Sequence, residues 1–483
     1  MSAVISGSGD MIVDSLARYA TEVSMDLDAP TSLGVKRVLL DALAVAAAAQ
    51  SHRAAAIAHL YAGRYPGGPC VVWGTGQHSN PEAAALANGV LLRCNDFNDL
   101  SIGARNWGHP SDLIAAIVAV AEMVDASGPQ LMSSIALGYE ISLIFFDHVP
   151  ATASGWDYSN LTMLAAVCAA ARLMNLNPIQ TGDALSIAIV SHHASDEIES
   201  GDLDRDGDLS LWKRFNAGDA MRQAVYACLL AQDGARGAVR PFIGRYGFLT
   251  RLGLDTPAVA TLSQTFDPAT PLHRVATTTM KRWPVGSRAQ SAIQSALAVR
   301  AQVGDPSRIA HVRVLTDEAV YHHLVAIRDQ AWSPHSRETA DHSLPYIIAS
   351  ALLDGKVSPN SFDKERVTEP ARQALLAKIE VSPKLHTQSF DEIRLADLGY
   401  LTRIEVEMTD GTLHVGVEAP FPGHPSRPLL KADLENKLAE YTGENRHAEV
   451  AALLDGIWTL EAHAARSFTR LVQAALLPQP KII

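Results

Sequence analysis

From residue 38 to residue 232 the chain keeps returning to runs of alanine and leucine at helical spacing. These runs are Val38–Ala49, Pro81–Leu92, Leu113–Val124, Leu131–Ile144, Leu161–Leu176 and Asp219–Gln232. Alanine is the best helix former, and its small side chain lets helix axes approach closely. A helix that is apolar around its whole circumference must be covered on every side. Residues 1–268 are therefore expected to form one all-helical domain with several fully buried helices. The longest apolar stretches, Leu113–Val124 and Leu161–Met174, are too short to span a bilayer and are interrupted by Glu122 and Arg172. They read as core helices of a soluble protein, with no membrane partner.

After about residue 270 the period changes. Ile309, Val312 and Val314 lie in a strand-like run ending near Thr316, and Lys378–Val381 is a second short candidate. Ile404, Val406 and Met408 alternate with polar residues, Asp410-Gly411 follows, and Leu413, Val415 and Val417 alternate again. Asp-Gly between two alternating runs predicts a hairpin. Helical spacing persists in Ser287–Val303 and Ser343–Leu353. This predicts a smaller α+β domain over residues 269–435. Residues 436–483 are helical again and are expected to pack back on the first domain. The fold class is mainly α.

Charge narrows the partners. Forty Lys and Arg stand against 52 Asp and Glu, a net charge of −12. A generic nucleic-acid binder needs a basic excess, so none is expected here. An anionic substrate would be repelled by the average field and must meet locally clustered cations. Cys70, Cys94, Cys168 and Cys228 are far apart, with no C-x-x-C pair. That spacing offers no zinc ribbon, no local iron–sulfur ligand set and no disulfide scaffold, and it fits a reducing cytosol. Met1–Asp26 has no basic n-region and carries Asp10, Asp14 and Glu22, so a targeting segment is not expected and the location reads as cytoplasmic.

Several segments have the residue types of an active site. Cys94-Asn95-Asp96-Phe97-Asn98-Asp99 ends an alanine-rich helix, and Gly108-His109-Pro110-Ser111-Asp112 opens the apolar one. Ser111 or Asp112 can cap that helix, and His109 stands beside its N-terminus, where free N–H groups favour an anion. A carboxylate and a histidine meeting there suit proton transfer. Asp96 and Asp99 can equally be caps, with His109 a loop histidine. Lys213-Arg214 precedes the small-residue helix start Gly218-Asp219-Ala220, and can face an anion or water. Lys281, Arg282 and Arg288 straddle a proline turn, either as a carboxylate clamp or as a surface basic patch. Tyr321 can act as a phenolic acid. His342, at the mouth of an apolar helix, repeats the geometry of His109, and an ion-pair network is the alternative for this segment. His192, His193 and Asp196 read as polar helix-end positions. Asp202, Asp204, Asp206 and Gly207 match half of a calcium loop, but Lys213 stands where its closing Glu belongs, so a solvated turn is expected. No G-x-S-x-G, G-x-G-x-x-G, P-loop or H-E-x-x-H motif occurs.

In order and spacing these segments resemble the MmgE/PrpD family over nearly the whole chain. The resemblance rests on Asp96-Phe97-Asn98-Asp99, Gly108 to Asp112, Gly138-Tyr139-Glu140, Lys213 with Gly218-Asp219-Ala220, Lys281 to Gln290, Arg337–Tyr346 with Leu352–Gly355, and Pro422-Gly423-His424-Pro425. It implies a large helical domain with an α+β lid, a site between them, a homodimer, and chemistry without metal or cofactor. It also implies a small polycarboxylate substrate. Asp96, His109, Lys213 and Tyr321 would be catalytic. Asn98, Ser111 and Tyr158 from the helical domain, with Lys281, Ser287, Arg288 and His342, would bind substrate. Gly155-Trp156-Asp157-Tyr158 lacks a histidine that family dehydratases and decarboxylases often carry there, with Tyr158 in its place, and Val285-Gly286 lacks one that decarboxylases carry; both losses count against decarboxylation. Arg337 to Ser343 looks more like the dehydratase branch. The implied reaction is dehydration of a hydroxy-tricarboxylate such as 2-methylcitrate in propionate catabolism. Decarboxylation, isomerisation or epimerisation of a related polycarboxylate is the alternative.

Overall fold

Two hydrophobic cores organise the chain, and the alanine runs account for the first. A computed structural model describes residues 9–198, 209–328, 330–383, 401–417, 420–443 and 445–477. The helices Ala29–Ala48, Pro81–Arg93, Leu113–Val124, Gly128–His148, Ser159–Leu173 and Asn216–Gln232 fill this core with Ala, Leu, Ile and Val side chains. Leu113 to Ala121 are fully buried, as a helix apolar all round requires. Pro81–Arg93 and Asn216–Gln232 cross in close contact at two glycines. A Cβ on Gly89 would lie 2.7 Å from Gly218 Cα, so neither position admits a side chain. That crossing matters for function, because Arg93 ends one of these helices and Lys213 and Arg214 immediately precede the other.

The second core spans Trp283 to Phe421, with Leu100 contributed from the helical part. It holds a four-stranded mixed sheet. Ile309–Thr316 pairs in parallel with Ile379–Ser382, Val312 opposite Ile379, and antiparallel with Thr402–Met408, Val314 opposite Ile404. Leu413–Val417 completes the predicted hairpin, Glu405 opposite Val415, and Gly411 takes a positive φ in its turn. Helices Gln290–Arg300 and Leu344–Asp354 supply the rest of this core. Leu272, Val275 and Met280 still pack in the first core. So do Leu434, Leu438, Leu453, Ile457, Phe468 and Val472 of the last three helices, Lys431–Tyr441, His447–Trp458 and Ala465–Leu476. Among the described residues no helix is long and apolar enough to cross a membrane. The acidic segment from Asp202 to Asp208 lies outside the described residues.

Glu122, the charge inside the apolar helix Leu113–Val124, is 1% exposed. Its carboxyl accepts the Val71 N–H at 3.2 Å, tying the helix to strand Pro66–Val71. Burial pushes its pKa up to about 8. A raised folded-state pKa stabilises fully below the ordinary carboxyl range, and that contribution is lost as pH rises through about 8. Glu122→Gln keeps the shape and removes the titration. Its melting temperature relative to the parent protein is expected to climb from about pH 5 to about pH 9. A pH-independent difference would show that Glu122 carries no such linkage.

Candidate active site

The end of one buried helix fixes the first acid. After Pro81–Arg93 the chain turns at Asp96, which adopts a left-handed φ of 47°. This conformation is open to Asp and Asn but strained for most residues. The turn aims Asp96 Oδ1 at Arg93 Nη1 and Lys281 Nζ, each at 2.8 Å. Lys281 Nζ also donates to the Asp96 carbonyl at 2.9 Å. All three side chains are buried. Burial alone would raise the Asp96 pKa, but the Lys281 ammonium and the Arg93 guanidinium outweigh it and hold the carboxyl well below its ordinary value. Lys281 is lowered by burial, an effect that Asp96 offsets in part.

Two imidazoles flank this carboxylate. His109 Nε2 lies 3.9 Å from Asp96 Oδ1, and His342 Nε2 lies 3.5 Å from Oδ2. His109 Nδ1 meets the Asp99 carbonyl oxygen at 2.5 Å. A carbonyl can only accept, so Nδ1 carries the proton and Nε2 keeps its lone pair. His342 Nδ1 meets Asp341 Oδ1 at 2.5 Å, and Asp341 Oδ2 takes Arg214 Nη2 at 2.7 Å. Burial, then Arg93 and Lys281, push the His109 imidazole well below its ordinary pKa. Burial and the Lys213 ammonium do the same, in direction, to His342. Lys213 Nζ lies 3.1 Å from His342 Nε2. Four cations, Arg93, Lys213, Arg214 and Lys281, thus surround two carboxylates, Asp96 and Asp341, inside an acidic protein. This is the local cation cluster that an anionic substrate needs.

Behind His109 lies a polar layer that departs from the sequence expectation. Neither Ser111 nor Asp112 caps helix Leu113–Val124; the turn Pro110–Asp112 precedes it with no side-chain cap. Asp99 Oδ1 instead takes the Ser111 N–H at 3.1 Å, so the chain's own carboxyl occupies the N-terminal turn expected to hold substrate. Asp112 receives Asn98 Nδ2 at 3.0 Å and the Tyr158 hydroxyl at 2.7 Å, while Asn98 Nδ2 also donates to Ser111 Oγ. Tyr139, of the Gly138-Tyr139-Glu140 segment, donates to Asp99 Oδ2 at 2.7 Å. Burial pushes Asp99 up to about 6 and Asp112 up to about 7. The Tyr158 hydroxyl is therefore committed to Asp112, and its ring lies edge-on to His109 with centroids 5.3 Å apart.

The structure brings Asp96, His109, Lys213, Lys281 and His342 together. Ser287 and Arg288 sit half-buried in the turn after Gly286, where a Cβ would lie 3.7 Å from Asp96 Oδ2. No hydrogen bond, ion pair or ring contact among the described residues joins Tyr321 to the cluster; it packs against the second core. Spacing missed Arg93 and Asp341, although Arg93 stands one helical step before Asp96 and Asp341 is the sequence neighbour of His342. Gly423, with φ 101°, explains the Pro422 to Pro425 segment. A Cβ there would strike the Met280 carbonyl at 1.8 Å, so glycine lets this loop lie against the backbone that presents Lys281. His192 faces Asp219 at 3.7 Å, and His193 lies edge-on to Trp156. Among the described residues no three His, Cys, Asp or Glu side chains form a metal-ligand group.

Comparison with known proteins matches the MmgE/PrpD N-terminal domain to residues 14–260 and the MmgE/PrpD C-terminal domain to residues 283–460. A mitochondrial 2-methylcitrate dehydratase of Yarrowia lipolytica is 25% identical over 381 residues, covering 73% of this chain and 68% of that one. A 2-methylcitrate dehydratase of Cupriavidus necator is 24% identical over 471 residues, covering 92% of each. The cis-aconitate decarboxylase of Homo sapiens is 25% identical over 426 residues, covering 83% of this chain and 81% of that one.

Proposed function

The chain belongs to the MmgE/PrpD family, and from that premise we propose that it is a lyase that dehydrates a small hydroxy-tricarboxylate, 2-methylcitrate, to a cis-aconitate-type alkene. The observation that carries the reading is the placement of two imidazole Nε2 atoms and a cation cluster around Asp96. Most of the matched relatives quoted above are named for this dehydration.

The reaction needs a base for a weakly acidic C–H beside a carboxylate, an acid for the departing hydroxyl, and donors for charge growing on the carboxylate. His109 Nε2 takes the proton from carbon. The C–H electron pair becomes the new double bond as the neighbouring C–O bond breaks. Lys213 gives the oxygen a proton, so water leaves, and His342 Nε2 shares that ammonium's hydrogen bond. Lys281 and Arg93 meet the substrate carboxylates. Asp96, held ionised between Lys281 and Arg93, fixes those two cations in place. Burial within the two cores keeps these charges poorly screened, which strengthens each interaction.

The test is ultraviolet absorbance of the conjugated alkene, with metal-free protein, 2-methylcitrate stereoisomers and a citrate control. Growth of the signal is expected, and Lys213→Ala should abolish it. No alkene from any stereoisomer, with carbon dioxide released from cis-aconitate instead, would replace dehydration by decarboxylation.

A further inference from the structure

A buried ammonium lies behind the site, on a helix from the far end of the chain. Lys437, in helix Lys431–Tyr441, is fully buried at its side chain. Its Nζ donates to Asp41 Oδ1 at 2.7 Å, to the Lys281 carbonyl at 3.0 Å and to the Phe97 carbonyl at 3.3 Å, and it sits 3.7 Å from the Phe97 ring centre. An ammonium has three N–H donors, and three acceptors surround this one. Two of those acceptors are informative. One carbonyl belongs to Lys281 itself, and the other follows Asp96 by one residue. The same two segments are also paired by Leu100 N–H to the Thr279 carbonyl at 2.7 Å and Thr279 N–H to the Leu100 carbonyl at 2.9 Å.

We propose that Lys437 is a positioning residue for the Asp96–Lys281 pair, bridging the backbones of both segments so that the two side chains meet across the boundary between the cores. The inference rests on the functional reading above for its kinetic consequence. Its geometric part stands alone. A buried ion pair such as Lys437–Asp41 is no better for stability than an apolar pair of similar volume. An apolar pair would leave the Phe97 and Lys281 carbonyls without this donor, and the loops free to shift. Misplacement of reacting groups by about 1 Å can cost on the order of 10²-fold in rate.

The experiment uses the full-length protein with Asp41→Asn, and with Asp41→Asn combined with Lys437→Met so that no unpaired charge is buried. Hydrogen exchange over residues 95–100 and 278–284 is measured beside the melting temperature, and kcat and KM with 2-methylcitrate. The double variant is expected to exchange faster in both segments at a nearly unchanged melting temperature. Its kcat should fall by about 10- to 100-fold while KM moves by less than about threefold. Asp41→Asn, which keeps both carbonyl contacts, should hold kcat within about threefold of the parent protein. Unchanged exchange in the two segments overturns the proposal whether or not 2-methylcitrate is consumed. Faster exchange with unchanged kcat overturns it too, as does a loss in Asp41→Asn as large as in the double variant. If the parent protein does not consume 2-methylcitrate, the substrate reading fails, while faster exchange confined to the two segments still supports the bridge.

Discussion

Asp341→Asn is expected to lower kcat by about 10³- to 10⁴-fold, the order seen when the carboxylate partner of a catalytic histidine becomes an amide. Asp341 takes the Nδ1 proton of His342 on one oxygen and Arg214 on the other. An amide in its place can present N–H to Nδ1, which moves the imidazole proton to Nε2. The lone pair facing Lys213 and Asp96 is then lost, although every heavy atom stays in place. The same change leaves Arg214, fully buried, without its carboxylate. Removing one member of a buried pair costs about 3–5 kcal/mol, so urea unfolding should show a clear but partial loss of stability. Activity within tenfold of the parent protein would remove His342 from the proton-transfer scheme.

The second large effect is at Asp96. Asp96→Asn suits the left-handed backbone there as well as aspartate does, so the turn is kept and only the charge is lost. Lys281 and Arg93 then face each other without their shared anion. A stability loss of about 3–5 kcal/mol is expected, together with a fall in kcat of about 10³-fold or more. Adding Lys281→Met removes one stranded cation. The double variant should recover part of the stability, read by urea unfolding, and none of the activity. Recovery of both together would mean that the pair is only structural. Full activity in the single variant would mean that Asp96 does not organise the site.

The two halves of the molecule were unequally legible. The alanine runs, the Asp410-Gly411 hairpin and the helices after residue 430 follow from local period, because a helix or hairpin is decided by neighbours within a few residues. Asp96, His109, Lys213, Lys281 and His342 stood out as charged or titratable residues at segment ends, and the structure joins them. The cap at Ser111 or Asp112 was misread. Spacing cannot see that Asp99, twelve residues earlier, folds back to take the Ser111 N–H. Asp112 is then left to receive Asn98 and Tyr158. Lys437 gives a local hint, since it stands between the buried Leu434 and Leu438 on an otherwise amphipathic helix.

What the sequence determined alone was which segments become helices, where the strand period begins, and which residues carry charge at the segment ends. Tertiary structure decided which charges meet. Lys213 and His342 are 129 residues apart, Asp96 and Lys281 are 185 apart, and Lys437 reaches Asp41 across 396. Period is set by bonds along the chain, whereas an ion pair is set by ångströms through space. Those distances exist only after helices cross at Gly89 and Gly218 and the two cores close on each other. A lysine bound for water and a lysine bound for a buried carboxylate look alike until then.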